Sequence, residues 1–294
     1  TFFAAPYHEE ALTRLYADHP DATIIAGATD VGLWVTKQLR TLPKIIHLGR
    51  TKGLDEISDE GQHISIGATA TYSSAEALLA AIDPDIGEVI RRIGAKQVRA
   101  SGTIGGNIAN GSPIGDSPPM LIALGATLHL RQGRNKRFIP LEDFFVAYGK
   151  QARGAGELVW RIDVPKLKGN EAFRAFKLSK RFDQDISAVM GAFKFTLDGR
   201  AILSARIAFG GMAATPKRAL KTEAALRGVS LDAPQAWERA VLAMAEDYQP
   251  IGDMRASAEY RLVAARALLR KALMEVAAGH SRAMRVVGLR GEAA

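Results

Sequence analysis

The 294-residue chain contains no cysteine, and this absence removes several kinds of chemistry from it. Disulfide bonds, thiolate zinc sites and cysteine-ligated iron–sulfur clusters are excluded from the chain itself. The lack of cysteine fits a reducing compartment, so we expect a cytoplasmic protein. No apolar run approaches the ~18 residues that a membrane-spanning helix needs, and no secretory signal is visible. We therefore expect no membrane partner.

Features typical of nucleic-acid or metal binding are also scarce. The 39 Lys and Arg exceed the 31 Asp and Glu, which gives a net charge of +8. The basic residues are scattered, and their densest cluster, Arg131–Arg137, flanks a predicted hairpin turn at Gly133. An anionic ligand or an acidic partner explains the charge as well as nucleic acid does, and we expect no nucleic acid. None of the six histidines has an i, i+4 partner, so no metal site is predicted.

What the chain does contain is enough apolar sequence for about two domains, since 47% of its residues are hydrophobic. The first 50 residues alternate between helical spacing and short apolar runs, which predicts an α-β-α-β unit. Residues 73–93 are predicted to be largely helical, with an interruption at Asp83–Pro84. A linker is predicted at Lys166–Asn170.

The sequence beyond this linker predicts an α+β domain. Three apolar runs predict antiparallel strands, at 172–178, 188–197 and 202–209. Helical spacing follows at 217–227, 234–246 and 256–277. In the last helix a core-facing stripe is predicted from Tyr260, Val263, Ala264, Ala267 and Leu268. The tail from Gly279 is predicted to be loose.

The most informative segment is Ser101–Asp116, in which five glycines are interleaved with Asn, Ser and Asp. Glycine lets the backbone approach a ligand closely, and successive N–H groups in such turns bind anions. The segment is therefore predicted to be a loop around a phosphate or a polar cofactor, closed by the carboxylate of Asp116. A second glycine-containing turn, Ile24–Val31, lies between a predicted strand and a predicted helix, where anions are favoured. Neither segment is a G-x-G-x-x-G or a Walker motif, which disfavours a Rossmann or P-loop fold.

Together these segments resemble the FAD-binding domain of molybdenum hydroxylases, a family that includes xanthine dehydrogenases and the medium subunits of CO dehydrogenases. The motifs that carry the resemblance are Ala26-Gly-Ala-Thr-Asp30 and Gly102-Thr-Ile-Gly-Gly-Asn107. Phe176-Lys-Leu-Ser-Lys-Arg181 and Phe209-Gly-Gly-Met-Ala213 are similar to later segments of the family. Ala26–Trp34, together with Gly149-Lys-Gln151, is most similar to the small subunit of bacterial xanthine dehydrogenases.

The resemblance implies an α+β fold with two parts. Residues 1–168 would form a PCMH-type (vanillyl-alcohol-oxidase-like) FAD-binding domain, with subdomains at about 1–55 and 56–168. Residues 169–278 would form the C-terminal flavoprotein domain, a three-stranded antiparallel sheet with helices, and 279–294 would be a tail.

The resemblance also implies which residues hold FAD. The first segment would wrap the diphosphate and the adenosine, and the second would contact the diphosphate and the ribityl chain. Asp116 would accept hydrogen bonds from cofactor hydroxyls, Val159 would pack near the adenine, and Lys177 would reach the flavin. Ile93 stands where vertebrate enzymes carry Phe, and Ile186 would cover the flavin ring. The implied cofactor-binding residues are Ile24, Ile25, Ala26, Gly27, Ala28, Thr29, Asp30, Val31, Ile93, Thr103, Ile104, Gly105, Gly106, Asn107, Asp116, Val159, Lys177 and Ile186. No catalytic residue is implied, because the flavin performs the redox chemistry.

By the same resemblance, electrons would reach FAD from a molybdenum centre through iron–sulfur clusters, and hydride would pass to NAD⁺. Without cysteine, this chain cannot hold the clusters, so iron–sulfur clusters and molybdopterin belong to partner segments or chains. A hetero-oligomer is expected with an iron–sulfur domain and a molybdenum-binding large subunit. The start at Thr1 predicts that the iron–sulfur portion lies upstream or on another polypeptide.

Two alternatives stay open. One is the medium subunit of a carbon-monoxide- or nicotinate-type dehydrogenase with another electron acceptor. The other is a docking or scaffold module that has lost its flavin. Asp183 and Asp185 are either a carboxylate pair on the nicotinamide side or, as we favour, part of a solvated loop. The arginines of the last helix are expected on a solvated face, with partner docking as the alternative (Arg255, Arg261, Arg266 and Arg270). The three tryptophans are expected in the core or an interface (Trp34, Trp160 and Trp237).

Overall fold

The computed structural model describes residues 1–279, and the predicted tail therefore lies almost entirely outside the described residues. The chain begins with a small parallel sheet in which the third strand in chain order lies between the first two, and the first helix packs against it. Its elements are β1 (Phe2–Ala4), α1 (Glu9–Asp18), β2 (Thr23–Ile25), α2 (Val31–Thr36) and β3 (Lys44–His47). The predicted α-β-α-β order is present, and β1 was missed because it is a three-residue edge strand with no alternation to detect.

A second sheet has five antiparallel strands in the order β4-β5-β10-β6-β7. They are β4 (Ile57–Asp59), β5 (His63–Gly67), β6 (Thr127–Gln132), β7 (Asn135–Pro140) and β10 (Leu158–Pro165). The strands β8 (Phe145–Ala147) and β9 (Lys150–Gln151) form a separate two-stranded ribbon after a 3-10 helix at Leu141–Phe144. One face of the large sheet is apolar and packs against helices α3 (Tyr72–Ala80), α4 (Pro84–Arg91) and α7 (Ser117–Leu124).

The predicted loop over Ser101–Asp116 is wrong in its local structure. Two short helices occupy this region, α5 (Lys96–Ser101) and α6 (Ile104–Asn110), and only residues 111–116 form an irregular connection to α7. Thr103 starts α6 by accepting a hydrogen bond at its hydroxyl from the backbone N–H of Gly106. Gly111, with φ of 65°, ends the helix in the left-handed conformation that glycine adopts readily. Because the segment is rich in glycine, the capping residues Thr103 and Gly111 were not recognised in the sequence.

The C-terminal domain is an antiparallel sheet whose strands follow the order β11-β12-β13-β14, with helices on one side. Its elements are β11 (Glu171–Leu178), β12 (Val189–Asp198), β13 (Ala201–Gly210), β14 (Lys217–Arg218), α8 (Leu220–Leu226), α9 (Pro234–Asp247) and α10 (Ala258–Ala277). Three strands were predicted, and the fourth is a two-residue edge at the start of a segment predicted to be helical. One face of the sheet packs against α8, α9 and α10, and the other joins the core of the first domain through Phe173, Ala175 and Met190.

The core-facing stripe predicted for α10 is correct for Ala264 and Leu268, which are buried, and wrong for Tyr260, Val263 and Ala267, which are exposed. Tyr260 and Val263 are 51% and 58% exposed, whereas Leu269 and Leu273 are buried. Arg261, which was expected on a solvated face, is 1% exposed. The guanidinium lies inside because it finds partners there: it donates to the carbonyl oxygens of Ala188 and Gly211 and to a carboxylate oxygen of Asp253 at 2.7 Å. Hydropathy patterns assign Arg to solvent and do not register such partners.

Candidate functional site

A cavity of about 830 Å³ opens where the two domains meet. Its walls come from the turn after β2, from α5 and α6, from the segment before α7, and from β11 and the loop after it. This volume is within the range of pockets that enclose a small-molecule cofactor. The cavity therefore joins the two glycine-containing segments that the sequence singled out.

The turn after β2 presents backbone N–H groups without acceptors. Ala28 has φ of 57°, a left-handed conformation that is uncommon for a residue other than glycine. Among residues 1–279, none accepts a hydrogen bond from the backbone N–H of Ala28, Thr29 or Asp30. Since all three residues line the cavity, their N–H groups are available to oxygen atoms of a ligand.

Gly27 brings the two segments into direct backbone contact. A Cβ atom built on Gly27 would lie 1.7 Å from the carbonyl oxygen of Ser101 and 3.1 Å from Cα of Gly102. No other residue type fits at this distance, so the glycine serves the contact between segments. A side-chain bond adds to it, because Asn110 donates from Nδ2 to Oδ2 of Asp30 at 2.6 Å.

Buried hydrogen bonds fix the second segment from behind. Ser117 Oγ donates to Oδ1 of Asn107 at 2.8 Å and lies 2.9 Å from the hydroxyl of Tyr72. Burial raises the pKa of the Tyr72 hydroxyl well above its ordinary value, so this group stays protonated. Gly105 packs so closely on Ala68 that a Cβ atom would lie 2.5 Å from its carbonyl oxygen. The backbone N–H of Gly106 is already used by Thr103, so it is not free for a ligand.

A buried ion pair joins the two domains at the cavity wall. Lys177 Nζ, on β11, lies 2.5 Å from Oδ2 of Asp116, and Ser187 Oγ donates to Oδ1 of Asp116 at 2.5 Å. All three residues are at least nine-tenths buried. A carboxylate oxygen has more than one lone pair, so Asp116 can accept from a ligand as well. In the structure, however, its hydrogen-bond partners are Lys177 and Ser187 of the same chain.

The structure brings together every residue predicted for the site except two. Ile25 belongs to β2 and does not line the cavity, and Ile104 is 1% exposed within the core. Ile186 lines the cavity but is 48% exposed, so it covers that side only in part. Of the two loop carboxylates, Asp185 lines the cavity and holds Arg181, while Asp183 lies outside it, 3.9 Å from Arg91.

Several residues of the cavity were missed or assigned elsewhere. Trp34 was expected in the core or an interface, yet it lines the cavity. Tyr72, Gln151 and Arg153 also line it, and none belongs to Ile24–Val31 or Ser101–Asp116. Gln151 donates to the carbonyl oxygen of Ala109, which attaches β9 to α6. Gly149-Lys-Gln151 was part of the family resemblance, but it was not assigned to the site.

Arg92 holds the loop that follows β11. Its guanidinium donates to the carbonyl oxygens of Lys177 and Phe182 at 3.0 and 2.9 Å and lies 4.5 Å from the ring of Phe182. Burial lowers the pKa of Arg92, which remains a cation at neutral pH. Within the described chain, no three His, Asp or Glu side chains form a metal-binding group, and no helix is long and apolar enough to cross a membrane.

Comparison with known families matches both parts of the chain. Residues 2–167 match the family described as the FAD binding domain in molybdopterin dehydrogenase. Residues 174–276 match the CO dehydrogenase flavoprotein C-terminal domain.

Some relatives match this chain with only a part of their length, and others match it over nearly their whole length. The nicotinate hydroxylase of Emericella nidulans is 33% identical over 243 residues, which are 75% of this chain and 18% of that protein. The chain likewise spans 17% of the xanthine dehydrogenase/oxidase of Rattus norvegicus, at 31% identity over 72% of this chain. In contrast, the putative xanthine dehydrogenase FAD-binding subunit of Escherichia coli is 28% identical over 94% of this chain and 97% of its own length.

A solved structure also matches this chain over nearly the whole length of both chains. A chain of the reconstituted CO dehydrogenase from Oligotropha carboxidovorans superposes with a TM-score of 0.86 at 30% identity. The match covers 94% of this chain and 97% of that chain.

Proposed function

Because the chain belongs to the family of FAD-binding domains of molybdopterin dehydrogenases, we propose that it is the FAD-binding electron-transfer part of a xanthine-dehydrogenase-type molybdenum hydroxylase. Electrons would arrive from iron–sulfur clusters on another segment or chain and leave as hydride to NAD⁺. The observation that carries the proposal is the cavity between the domains, where two glycine-containing segments meet.

The residues present fit FAD. The N–H groups of Ala28, Thr29 and Asp30 have no acceptor within residues 1–279 and suit the oxygens of a diphosphate. Apolar side chains for a ring system are supplied by Ile93, Val159 and other lining residues.

This chain's own residues bind and orient the cofactor. Flavin, when bound, supplies the two-electron redox chemistry. The buried Lys177–Asp116 pair places a cation and an acceptor at the wall formed by the C-terminal domain. Since Ile186 is about half exposed, that side stays open to solvent and to a second molecule.

Partners follow from what the chain lacks. It contains no cysteine, so the clusters and the molybdopterin would be carried by an iron–sulfur domain and a molybdenum-binding large subunit in a hetero-oligomer. Full-length matches to separate subunits support this arrangement. We expect the assembly to act in the cytoplasm.

Reconstitution tests the proposal directly. The purified chain, mixed with FAD and passed through a desalting column, is expected to retain flavin absorbance at close to one equivalent. A folded chain that retains no flavin would refute the proposal and support a scaffold role.

A second candidate is the medium subunit of a carbon-monoxide-dehydrogenase-type enzyme with another acceptor. The similarity to a CO dehydrogenase chain, with a TM-score of 0.86 at 30% identity, supports this enzyme type. The assembled complex discriminates between the two. Reduction of NAD⁺ at the expense of xanthine supports the first, whereas reduction of another acceptor without NAD⁺ turnover supports the second.

A further inference from the structure

The charged side chains that line the cavity are unevenly paired. Asp30, Asp116 and Asp185 are the lining carboxylates, and Lys177 and Arg153 are the lining cations. Lys177 forms an ion pair with Asp116, in which Nζ lies 2.5 Å from Oδ2. Arg153 makes no ion pair of 4.0 Å or less with any carboxylate in the described part of the chain, although, beside the hydrogen bonds from Arg137, its charge helps to lower the pKa of the nearby Glu157. Its N–H donors therefore remain available to a ligand.

The nearest carboxylate to Arg153 is already held. Glu157 accepts two hydrogen bonds from Arg137, both at 2.7 Å, and one from the backbone N–H of Gly154 at 2.8 Å. Arg153 reaches only the carbonyl oxygen of Glu157, at 3.5 Å, which is the limit of a hydrogen bond. Arg153 is half-buried as a residue, and within the described chain its guanidinium has only this one long hydrogen bond.

Arg153 lies in the second subdomain, in the segment of the cavity wall that packs against the N-terminal subdomain. It precedes Leu158, a lining residue that packs in the apolar cluster containing Tyr16 and Leu48. Gly156 fixes this segment to α1, because a Cβ atom there would lie 3.1 Å from Cα of Ala17. Lys177, in contrast, lies on the wall formed by the C-terminal domain. The two lining cations thus belong to different walls.

We infer that Arg153 binds the diphosphate of FAD and makes the cavity select a dinucleotide over a flavin without the ADP half. This inference rests on the proposed function. Three carboxylates line a cavity that would receive two further negative charges, and backbone N–H groups contribute only partial charges against them. Arg153 supplies a full positive charge and a planar donor set that matches phosphate oxygens.

Substitution of Arg153 tests the inference by ligand binding. Arg153→Gln is expected to weaken FAD binding by about tenfold, and raised salt is expected to reduce the difference from the wild type. Riboflavin, which has no phosphate, is expected to bind both proteins equally. Arg153→Lys keeps the charge and is expected to restore part of the FAD affinity. Flavin fluorescence titration at two salt concentrations gives all these values.

Arg134→Gln is the matched control, since Arg134 lies in the exposed turn between β6 and β7 and does not line the cavity. It removes the same charge and is expected to leave FAD binding unchanged. Equal FAD affinity for Arg153→Gln and the wild type, or an equal loss with riboflavin, would overturn the inference and leave the proposed function standing. A wild-type chain that binds no FAD would overturn both.

Discussion

Gly27 shows how much of the site depends on a single absent side chain. The turn after β2 and the end of α5 touch through backbone alone, and Gly27 makes the contact possible. Gly32, in the helix that follows the turn, can be compared with it, since a Cβ atom at Gly32 would meet nothing within 4 Å. The two positions separate the effect of the contact from that of glycine itself.

Gly27→Ala is expected to lower the free energy of unfolding by more than about 2 kcal/mol and to abolish FAD retention, because the clash with Ser101 separates the two segments. Gly32→Ala lies in α2 and is expected to be neutral or to stabilise by up to about 1 kcal/mol. Urea unfolding of both variants checks this. Equal stability of the two variants would show that the backbone contact is unimportant.

Asp116 also stabilises the fold, a role that the sequence did not predict. It was predicted only as an acceptor for cofactor hydroxyls, but it also neutralises the buried Lys177 across the domain boundary. Asp116→Ala is expected to cost about 3 kcal/mol or more, because an unpaired buried cation remains. Adding Lys177→Met in the same chain should recover a large part of that loss. A double variant that is less stable than the single one, by urea unfolding, would contradict this account.

At the scale of elements, the buried Arg261 fastens the segment before α10. Asp253 accepts from Arg261 and from the backbone N–H groups of Arg255 and Ala256. Burial alone would raise the pKa of Asp253, but these hydrogen bonds outweigh it and lower the pKa from 3.8 to about 2. The segment is thus held by a carboxylate that must stay ionised.

This lowered pKa predicts an acid-sensitive contribution to stability. A carboxyl whose pKa is lower in the folded state stabilises the fold above its unfolded pKa of 3.8 and loses that effect as pH falls towards 2. The difference in unfolding free energy between wild type and Asp253→Asn is therefore expected to be constant above about pH 5 and to shrink between pH 4 and 2. Asp198→Asn, at the exposed end of β12, serves as the charge control. A difference that does not change with pH would contradict the prediction.

Apolar runs and helical spacing, bounded by turn residues, predicted the extent of several elements. Strands β11, β12 and β13 and helices α9 and α10 fall close to their predicted bounds for this reason. The helix α6 was missed because glycine, a poor helix former, fills two of its first three positions, and tertiary contacts to Ala68 and Ala70 override that preference. Arg261 was misplaced because its partners lie on other elements.

The same distinction between local sequence patterns and contacts between elements applies to the site. Residues within the two glycine-containing segments were predictable from local chemistry and from family resemblance. Tyr72 and Arg153 reach the cavity only through the packing of α3 and the segment after β9, and no spacing within one segment could have assigned them. Trp34 ends the motif Ala26–Trp34, which the resemblance singled out without assigning Trp34 to the site.

At the scale of the whole molecule, the two domains share one core and one cavity. Phe173 and Met190 of the C-terminal sheet belong to the core that also contains Ile122 of α7. Ion pairs from Glu142 to Arg206 and Arg218, at 2.7 and 2.9 Å, cross the same boundary. The domains should therefore unfold together.

FAD at about 100 times its dissociation constant is expected to raise the free energy of unfolding by about 2.7 kcal/mol, and both domains should report it. Trp237, buried in the C-terminal domain, provides a local fluorescence signal in a Trp34→Phe, Trp160→Phe background. Its transition should coincide with the loss of far-ultraviolet circular dichroism, with and without FAD. A Trp237 transition that FAD does not shift would mean that the C-terminal domain unfolds independently.

The way the cavity is assembled has a consequence for biosynthesis. One wall is formed by residues 22–31 and another by residues 177–186, and the ion pair between Asp116 and Lys177 needs both domains. A nascent chain that contains only the first domain lacks the second wall. Cofactor binding is therefore expected to follow translation of the second domain.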